Sequence, residues 1–439
     1  MTATPAASPA CMNSPADPSR RGFLFNSTAA VIGGSVAATL AHSRSVHAAG
    51  TEKPLKVALI GCGGRGTGAA VNAMRSDKNV KLTALADAFP DQVTHCRQVL
   101  SRQLGEQFAV PPEQEFSGFD AYKQVMASDA DVVLLCTPPH FRPAHLRAAV
   151  EAGKHIFCEK PVAVDAPGVR HVLASSEMAK SKNLNLVSGL CWRYDLGVKE
   201  TMKQIQDGAI GDIVAIQENY LTGTLWHRGR KPEWSEMEYQ TRNWLYFTWL
   251  SGDHNVEQHI HSLDKAMWLM NDQPPASCFG LGGRQVRTSE EWGNIYDHHA
   301  VCYEWANGVK CFAFTRQQAG CSNQTEDFVM GTKGSAQILK NEVTSGEKKW
   351  RYRGDKPSMY DLEHVELFKA IRSGETINNG TYMSYSTLLA IMGRMATYTG
   401  QNITWDAALS SQEVLGPSKY EWGKIDVPTV AMPGVTKFV

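Results

Sequence analysis

The chain has no excess of charge of either sign: 44 lysines and arginines balance 44 aspartates and glutamates. It also has no basic stripe and no block of like charges, so it offers no electrostatic footprint for nucleic acid. A small, uncharged or mixed-charge ligand fits better. Its 10 cysteines include no C-x-x-C pair and no zinc-like spacing. Cys11 lies in an N-terminal leader, and others, such as Cys136 and Cys158, sit in apolar strand-like runs. No disulfide framework is therefore expected, which points to folding in a reducing compartment. Beyond the leader no apolar run reaches the roughly 18 residues that span a bilayer, so a soluble mature product is expected. What is present is ordinary globular material: 439 residues, 43% apolar and 20% charged, enough for two or three domains.

The leader carries Ser19-Arg20-Arg21-Gly22-Phe23-Leu24, then a mildly apolar Gly/Ala/Ser-rich stretch to Leu40, then Val46-His47-Ala48. This order resembles a twin-arginine export signal with a cut after Ala48. The expectation is a signal peptide over residues 1–48 and a mature protein in the periplasm or cell envelope. Removing Arg20, Arg21, Arg44 and Asp17 leaves 41 positive against 43 negative residues, still nearly neutral.

Leu55–Ile60 reads as a short buried strand that ends in Gly61-Cys62-Gly63-Gly64-Arg65-Gly66. A helical stretch over Gly68–Arg75 and a second strand over Val80–Ala86 follow, the latter ending at Asp87. In G-x-G-x-x-G, the first two glycines allow a tight turn and close approach to a pyrophosphate, and the third lets the helix pack near the strand. Asp87 can accept hydrogen bonds from both ribose hydroxyls and repels a 2′-phosphate, while Ala88 supplies no arginine to offset that repulsion. NAD is favoured over NADP. Helical Asp91–Leu100, Tyr122–Ser128 and Pro143–Ala152, with strands Val132–Cys136 and His155–Cys158, continue the alternation. That pattern predicts a doubly wound parallel sheet with ligands at its carboxyl edge, near Thr137-Pro138-Pro139-His140 and Glu159-Lys160-Pro161.

From about Gly189 the pattern changes to strands without regular intervening helices (Val214–Leu221, Cys278–Leu281, His299–Trp305, Val309–Thr315), which predicts an open, mainly antiparallel sheet. Helical Met359–Ser373 and Met383–Thr399 are expected to pack back on the body. The predicted domains are 54–188, binding the dinucleotide, and 189–439, for substrate and oligomerisation. Between the strands lies Asp253–Trp268. On one continuous helix His254, Glu257, His261 and Asp264 would share a side, and both a solvated stripe and a cleft-facing polar row fit that spacing. His254, Glu257 and His261 would also suit Zn or Mn.

Gly61–Gly66, Asp87, Thr137-Pro138, Ala152-Gly153-Lys154-His155 and Glu159-Lys160-Pro161, in this order, resemble the Gfo/Idh/MocA family of NAD(P)-dependent sugar and polyol oxidoreductases. The resemblance spans essentially the whole mature chain, and Glu-Lys-Pro is its most specific element. It implies NAD held by Gly61, Gly63, Gly64, Arg65, Gly66, Asp87, Thr137, Pro138, His140, Glu159 and Lys160. Lys160 would sit beside the nicotinamide and the reacting carbinol. The family pattern Asp-x-Gly-x-His-x-x-Asp maps its histidine onto His261 and its last aspartate onto Asp264, but Glu257 replaces the first aspartate and His259 the glycine. Lys160, His261 and Glu257 are thus the candidate catalytic residues, His261 as base. Arg193, Tyr194 and Asp264 join them as candidate substrate contacts, with the Trp226-His227-Arg228 and Trp244-Leu245-Tyr246 clusters beside them. The resemblance needs no metal, and none is expected. It also implies a homo-oligomer formed through the second sheet. Export from the cytoplasmic NAD pool implies a tightly held cofactor. It leaves open a redox-neutral glycosidase using transient oxidation, and a sugar or nucleotide sensor that has lost catalysis.

Overall fold

A computed structural model describes residues 53–439; the twin-arginine pair, the expected cleavage site and Cys11 lie outside the described residues. The first half runs β1 (Leu55–Ile60), α1 (Gly64–Ser76), β2 (Val80–Asp87), α2 (Pro90–Gln103), β3 (Glu115–Ser117), α3 (Ala121–Ala127), β4 (Val132–Leu135), α4 (Arg142–Glu151), β5 (His155–Cys158), α5 (Ala166–Ser181) and β6 (Leu186–Ser188). The strands form a parallel six-stranded sheet in the order β3-β2-β1-β4-β5-β6. Their residues explain this arrangement. In β1, Val57 and Leu59 enter one core layer while Ala58 and Ile60 enter the other, so the strand needs cover on both faces. The order reverses between β1 and β4. That reversal sets the Gly61 and Thr137 turns side by side at the carboxyl edge, where open sheets of this kind bind ligands.

The helix expected from Gly68 begins at Gly64, with Gly63 as its cap, because the glycine turn runs straight into the first helical turn. Two glycines there are obligatory. Gly61 has φ +103°, and a Cβ on it would lie 2.6 Å from the Cys136 carbonyl carbon. A Cβ on Gly66 would lie 1.7 Å from Gly61 O. The helix thus packs onto the strand as closely as backbone permits.

The second half continues with α6 (Leu196–Gln206), β7 (Ile213–Thr222), α7 (Glu236–Arg242), α8 (Thr248–Ser251), α9 (His254–Glu257), α10 (Ile260–Leu269), β8 (Ser277–Gly283), β9 (His298–Glu304) and β10 (Lys310–Gln317). It is completed by β11 (Gln324–Gly331), β12 (Gly334–Gln337), β13 (Glu342–Ser345), β14 (Lys348–Arg351), α11 (Met359–Ser373), α12 (Gly380–Thr399), β15 (Ile403–Thr404) and α13 (Trp405–Ser410). The strands form a nine-stranded sheet in the order β14-β13-β12-β11-β7-β10-β9-β8-β15. Its pairings are antiparallel except for β7 with β10. Ile216, Val301, Cys311, Ala313 and Val329 on its inner face join the core shared with α10 and α12. α11 packs on α1 and α12 on α5. Among the described residues no helix is long and apolar enough to cross a membrane, and the nine cysteines there are free.

The single helix expected over 253–268 is broken. Asp253 opens it at φ +82°, and His259 N–H reaches back five residues to His254 O at 3.1 Å. That wide turn separates α9, which carries His254 and Glu257, from α10, which carries His261 and Asp264.

Candidate active site

A cavity of about 580 Å³ lies along the carboxyl edge of the parallel sheet and is walled on its far side by the second half. At one end it meets the glycine turn. Ideal Cβ atoms on Gly63 and Gly64 would meet nothing within 4 Å, so these two positions face open space. Asp87 lines the same end, its Oδ2 accepting from Cys62 N–H at 2.6 Å and its Oδ1 from Phe89 N–H at 2.9 Å. Burial raises this carboxyl above its ordinary value, and the two N–H donors oppose that shift. Phe89 and Phe119 also line this end. Behind them Trp422 packs with ring centroids at 5.1 Å from Phe89 and 4.3 Å from Phe119.

At the other end Lys160 from the turn after β5 meets Glu257 from α9. The Lys160 ammonium donates to Glu257 Oε1 at 2.8 Å and to Glu257 O at 2.6 Å, and the Lys160–Pro161 peptide bond is cis. His261, from the first turn of α10, lines the cavity beside them. Its Nδ1 is buried without a partner, leaving Nε2 as the nitrogen open to the cavity. Burial holds this imidazole well below the ordinary histidine value, and the Lys160, Lys265 and Arg65 charges push it the same way. At neutral pH it is therefore an uncharged acceptor. Lys265, paired with Asp327 at 3.0 Å, fixes the His261 backbone by donating to its carbonyl at 2.7 Å, while the Tyr220 ring stacks 6.5 Å away. Glu159 lies one residue before Lys160 and pairs with Arg65, which also reaches Glu363 at 3.6 Å. Burial and the neighbouring Glu159 raise the Glu363 carboxyl well above its usual range.

Thus Gly61, Gly63, Gly64, Arg65, Gly66, Asp87, Thr137, Pro138, Glu159, Lys160, Glu257 and His261 share one cavity. Four other candidates lie elsewhere. His140 is turned away to Tyr420, with its Nε2 2.7 Å from the phenol oxygen, and burial lowers it to about 4. Arg193 and Asp264 satisfy each other at 2.8 Å, with Asp272 and Ser386 completing the set, because two buried charges need partners more than they need a ligand. Tyr194 is buried with its hydroxyl on Asn379 at 2.9 Å. The Zn or Mn reading of the helix also loses its geometry. His254 is held 2.8 Å from Asp253 in a buried cluster with His299, while Glu257 and His261 face the cavity.

Of the aromatic clusters, Trp226, Arg228 and Trp244 line the cavity, whereas His227 and Tyr246 spend their polar atoms on main-chain carbonyls. Sequence reasoning missed Phe89, Phe119, Arg242 and Tyr360 as wall residues. Phe89 stands two residues beyond Asp87, a usable signal; the others come from distant segments and carry none.

With this geometry in place, the first half matches a family model described as an oxidoreductase family with an NAD-binding Rossmann fold over residues 55–189. Residues 198–337 match the GFO/IDH/MocA C-terminal domain. The chain belongs to the Gfo/Idh/MocA family. It is an NAD-dependent oxidoreductase of the class that acts on CH–OH groups, and the open glycine cradle, Asp87 and the helix N-terminus of α1 suit its cofactor, NAD. The inositol 2-dehydrogenase of Rhizobium meliloti is 26% identical over 263 residues, covering 60% of this chain and 69% of that protein. An uncharacterized oxidoreductase of Streptococcus pneumoniae is 26% identical, and the match spans 53% of this chain but only 55% of that one. Two solved structures share the fold over 80% of this chain and 99% of theirs. They are the aldose-aldose oxidoreductase of Caulobacter crescentus (TM-score 0.62, 18% identity) and a levoglucosan dehydrogenase with NADH and levoglucosan (TM-score 0.63, 19% identity).

Proposed function

We propose that this protein oxidises a secondary hydroxyl of a sugar or polyol, or reduces the matching carbonyl, with an NAD that stays bound between turnovers. The observation that carries this reading is the meeting of Lys160, Glu257 and His261 at one end of the cavity that the glycine turn and Asp87 close at the other. NAD supplies the hydride acceptor or donor. The Lys160 ammonium is placed to donate a hydrogen bond to the reacting oxygen, and Glu257 holds that ammonium in place. His261 takes the hydroxyl proton on Nε2 as the C–H pair departs as hydride, and returns it in the reverse direction. Trp226 and Trp244, 6.0 Å apart, offer apolar faces on which the C–H side of a sugar ring can rest.

Export by the twin-arginine route belongs to the same proposal, with residues 1–48 as the signal, 54–188 and 189–439 as the two domains, and a periplasmic or envelope location. A homo-oligomer is proposed through the second sheet. Phe279, Phe312, Leu281, Phe314 and Met330 stand exposed on its outer face, and Phe279 and Phe312 both pair with Cys302, as Leu281 and Phe314 do with Ala300.

The test is to denature the purified protein, identify the released nucleotide, and add sugars and polyols to the intact protein while following nicotinamide absorbance. Absence of nucleotide, or no absorbance change with any of them, would count against the reading. Turnover of a glycoside without net absorbance change would favour redox-neutral hydrolysis instead.

A further inference from the structure

The pyrophosphate of a bound dinucleotide carries two negative charges, and the glycine turn meets it with backbone N–H groups alone. Four arginines line the cavity: Arg65, Arg142, Arg228 and Arg242. Three are committed. Arg65 is paired with Glu159 and reaches Glu363. Arg142 is buried and donates to the carbonyls of Pro161 and Thr137. Arg242 makes a two-pronged pair with Asp91 at 2.9 and 3.0 Å and another with Glu238 at 2.9 Å.

Arg228 differs in being exposed without, among the described residues, a carboxylate partner. It is nevertheless held in place. Its N–H donates to Asn243 Oδ1 at 2.8 Å, its carbonyl accepts from Asn243 Nδ2 at 3.0 Å, its Nη1 donates to Arg242 O at 2.7 Å, and its guanidinium lies 4.8 Å from the centre of the Trp226 ring. The loop ahead of α7 brings it across from the second half. There it lines both the main cavity and a smaller pocket running alongside α1 and α2, and Gly64 is the glycine-turn residue common to both. Gly64 is also one of the two positions where the turn faces open space.

We propose that Arg228 is a cofactor-positioning residue: its guanidinium reaches from the second half over the glycine turn and pairs with the pyrophosphate of NAD. The inference rests on NAD being the cofactor. A planar guanidinium suits two phosphate oxygens at once, and its fixed stem lowers the entropic cost of the pairing. The Rossmann half then supplies shape and N–H donors, and the other half supplies the charge.

Equilibrium titration of the full-length protein, stripped of nucleotide, tests this with NAD, NADP, ADP and adenosine as probes. Arg228→Ala should weaken NAD and ADP by about 10- to 100-fold, in line with a charge-assisted hydrogen bond of roughly 1.5–3 kcal/mol. NADP should weaken by the same factor and adenosine should not change. Arg228→Lys should fall between the wild type and the alanine variant. Unchanged NAD affinity in Arg228→Ala would overturn the proposal. Loss confined to NADP would do so as well, placing the arginine at the 2′-phosphate, and so would an equal loss for adenosine, which would mean a displaced loop. A wild-type protein that binds no NAD would sink the cofactor assignment itself, a separate result.

Discussion

The Lys160 ammonium is held by both oxygens that Glu257 can offer on its side, the carboxylate at 2.8 Å and the main-chain carbonyl at 2.6 Å. The carbonyl bond does not depend on the side chain, so the glutamate that replaces the family's aspartate is one of two anchors for the lysine. Glu257→Asp withdraws the carboxylate by one methylene while leaving the carbonyl bond in place. Its expected result is an unchanged fold with an altered rate or sugar preference, read from turnover across a panel of polyols.

Lys160→Met and His261→Ala remove the two groups proposed to meet the reacting oxygen and its proton. Each should lower nicotinamide reduction by about 10²–10⁴-fold, the usual contribution of a positioned acid or base, while NAD remains bound. Single-turnover absorbance on the two variants measures this. Near-wild-type rates in both would remove these residues from the chemistry.

Because burial holds His261 well below 6.5, its neutral form persists into mildly acidic solution. The acid limb of the rate should therefore fall below the ordinary histidine value, and a pH profile of single-turnover reduction locates it. Stability should behave differently. His140 and His254 are each lowered by burial from 6.5 to about 4, so below 6.5 the unfolded chain takes up protons that the folded one refuses. Stability is then full above that value and is lost as pH falls toward 4, a trend that urea midpoints at several pH values would show.

Asp87 is proposed to set cofactor choice at the ribose. NAD should bind more tightly than NADP, and Asp87→Ala should narrow or reverse the gap by removing repulsion of the 2′-phosphate. A wild-type preference for NADP in titration would contradict this.

Asp264→Ala leaves Arg193 buried with only Asp272, itself partly exposed, as partner. Breaking a buried pair from one side costs about 3–5 kcal/mol, so denaturant unfolding should show a loss of that order. Cofactor affinity of the protein that remains folded should not change, since neither residue lines the cavity.

The Rossmann half was legible because its signals are local. Short strands buried on both faces, a glycine string before a helix and an acid after the next strand fix the order of elements without distant contacts. Glu257 and His261, which line the cavity, were legible by residue type within one short polar stretch. Their neighbours were not, since the wide turn at His259 shifts the phase of the helix, and no periodicity count anticipates one extra residue. Arg193 and Asp264 misled because a charged side chain near a motif reads alike whether it faces a ligand or another charge. The Arg228 loop and the aromatic contacts of Trp422 have no repeat at all, and their placement depends on surfaces formed far away in sequence.

The position of Trp422 has a consequence for how the protein is made. A ribosome delivers the first half early, and that half can begin to fold as soon as it emerges. Phe89 and Phe119 are then present without the ring that backs them, which follows about three hundred residues later. The Asp87 end of the cavity thus passes through synthesis as an uncovered aromatic surface until a segment some three hundred residues further on is translated. Nascent chains stalled before that segment are the ones that should aggregate or engage chaperones.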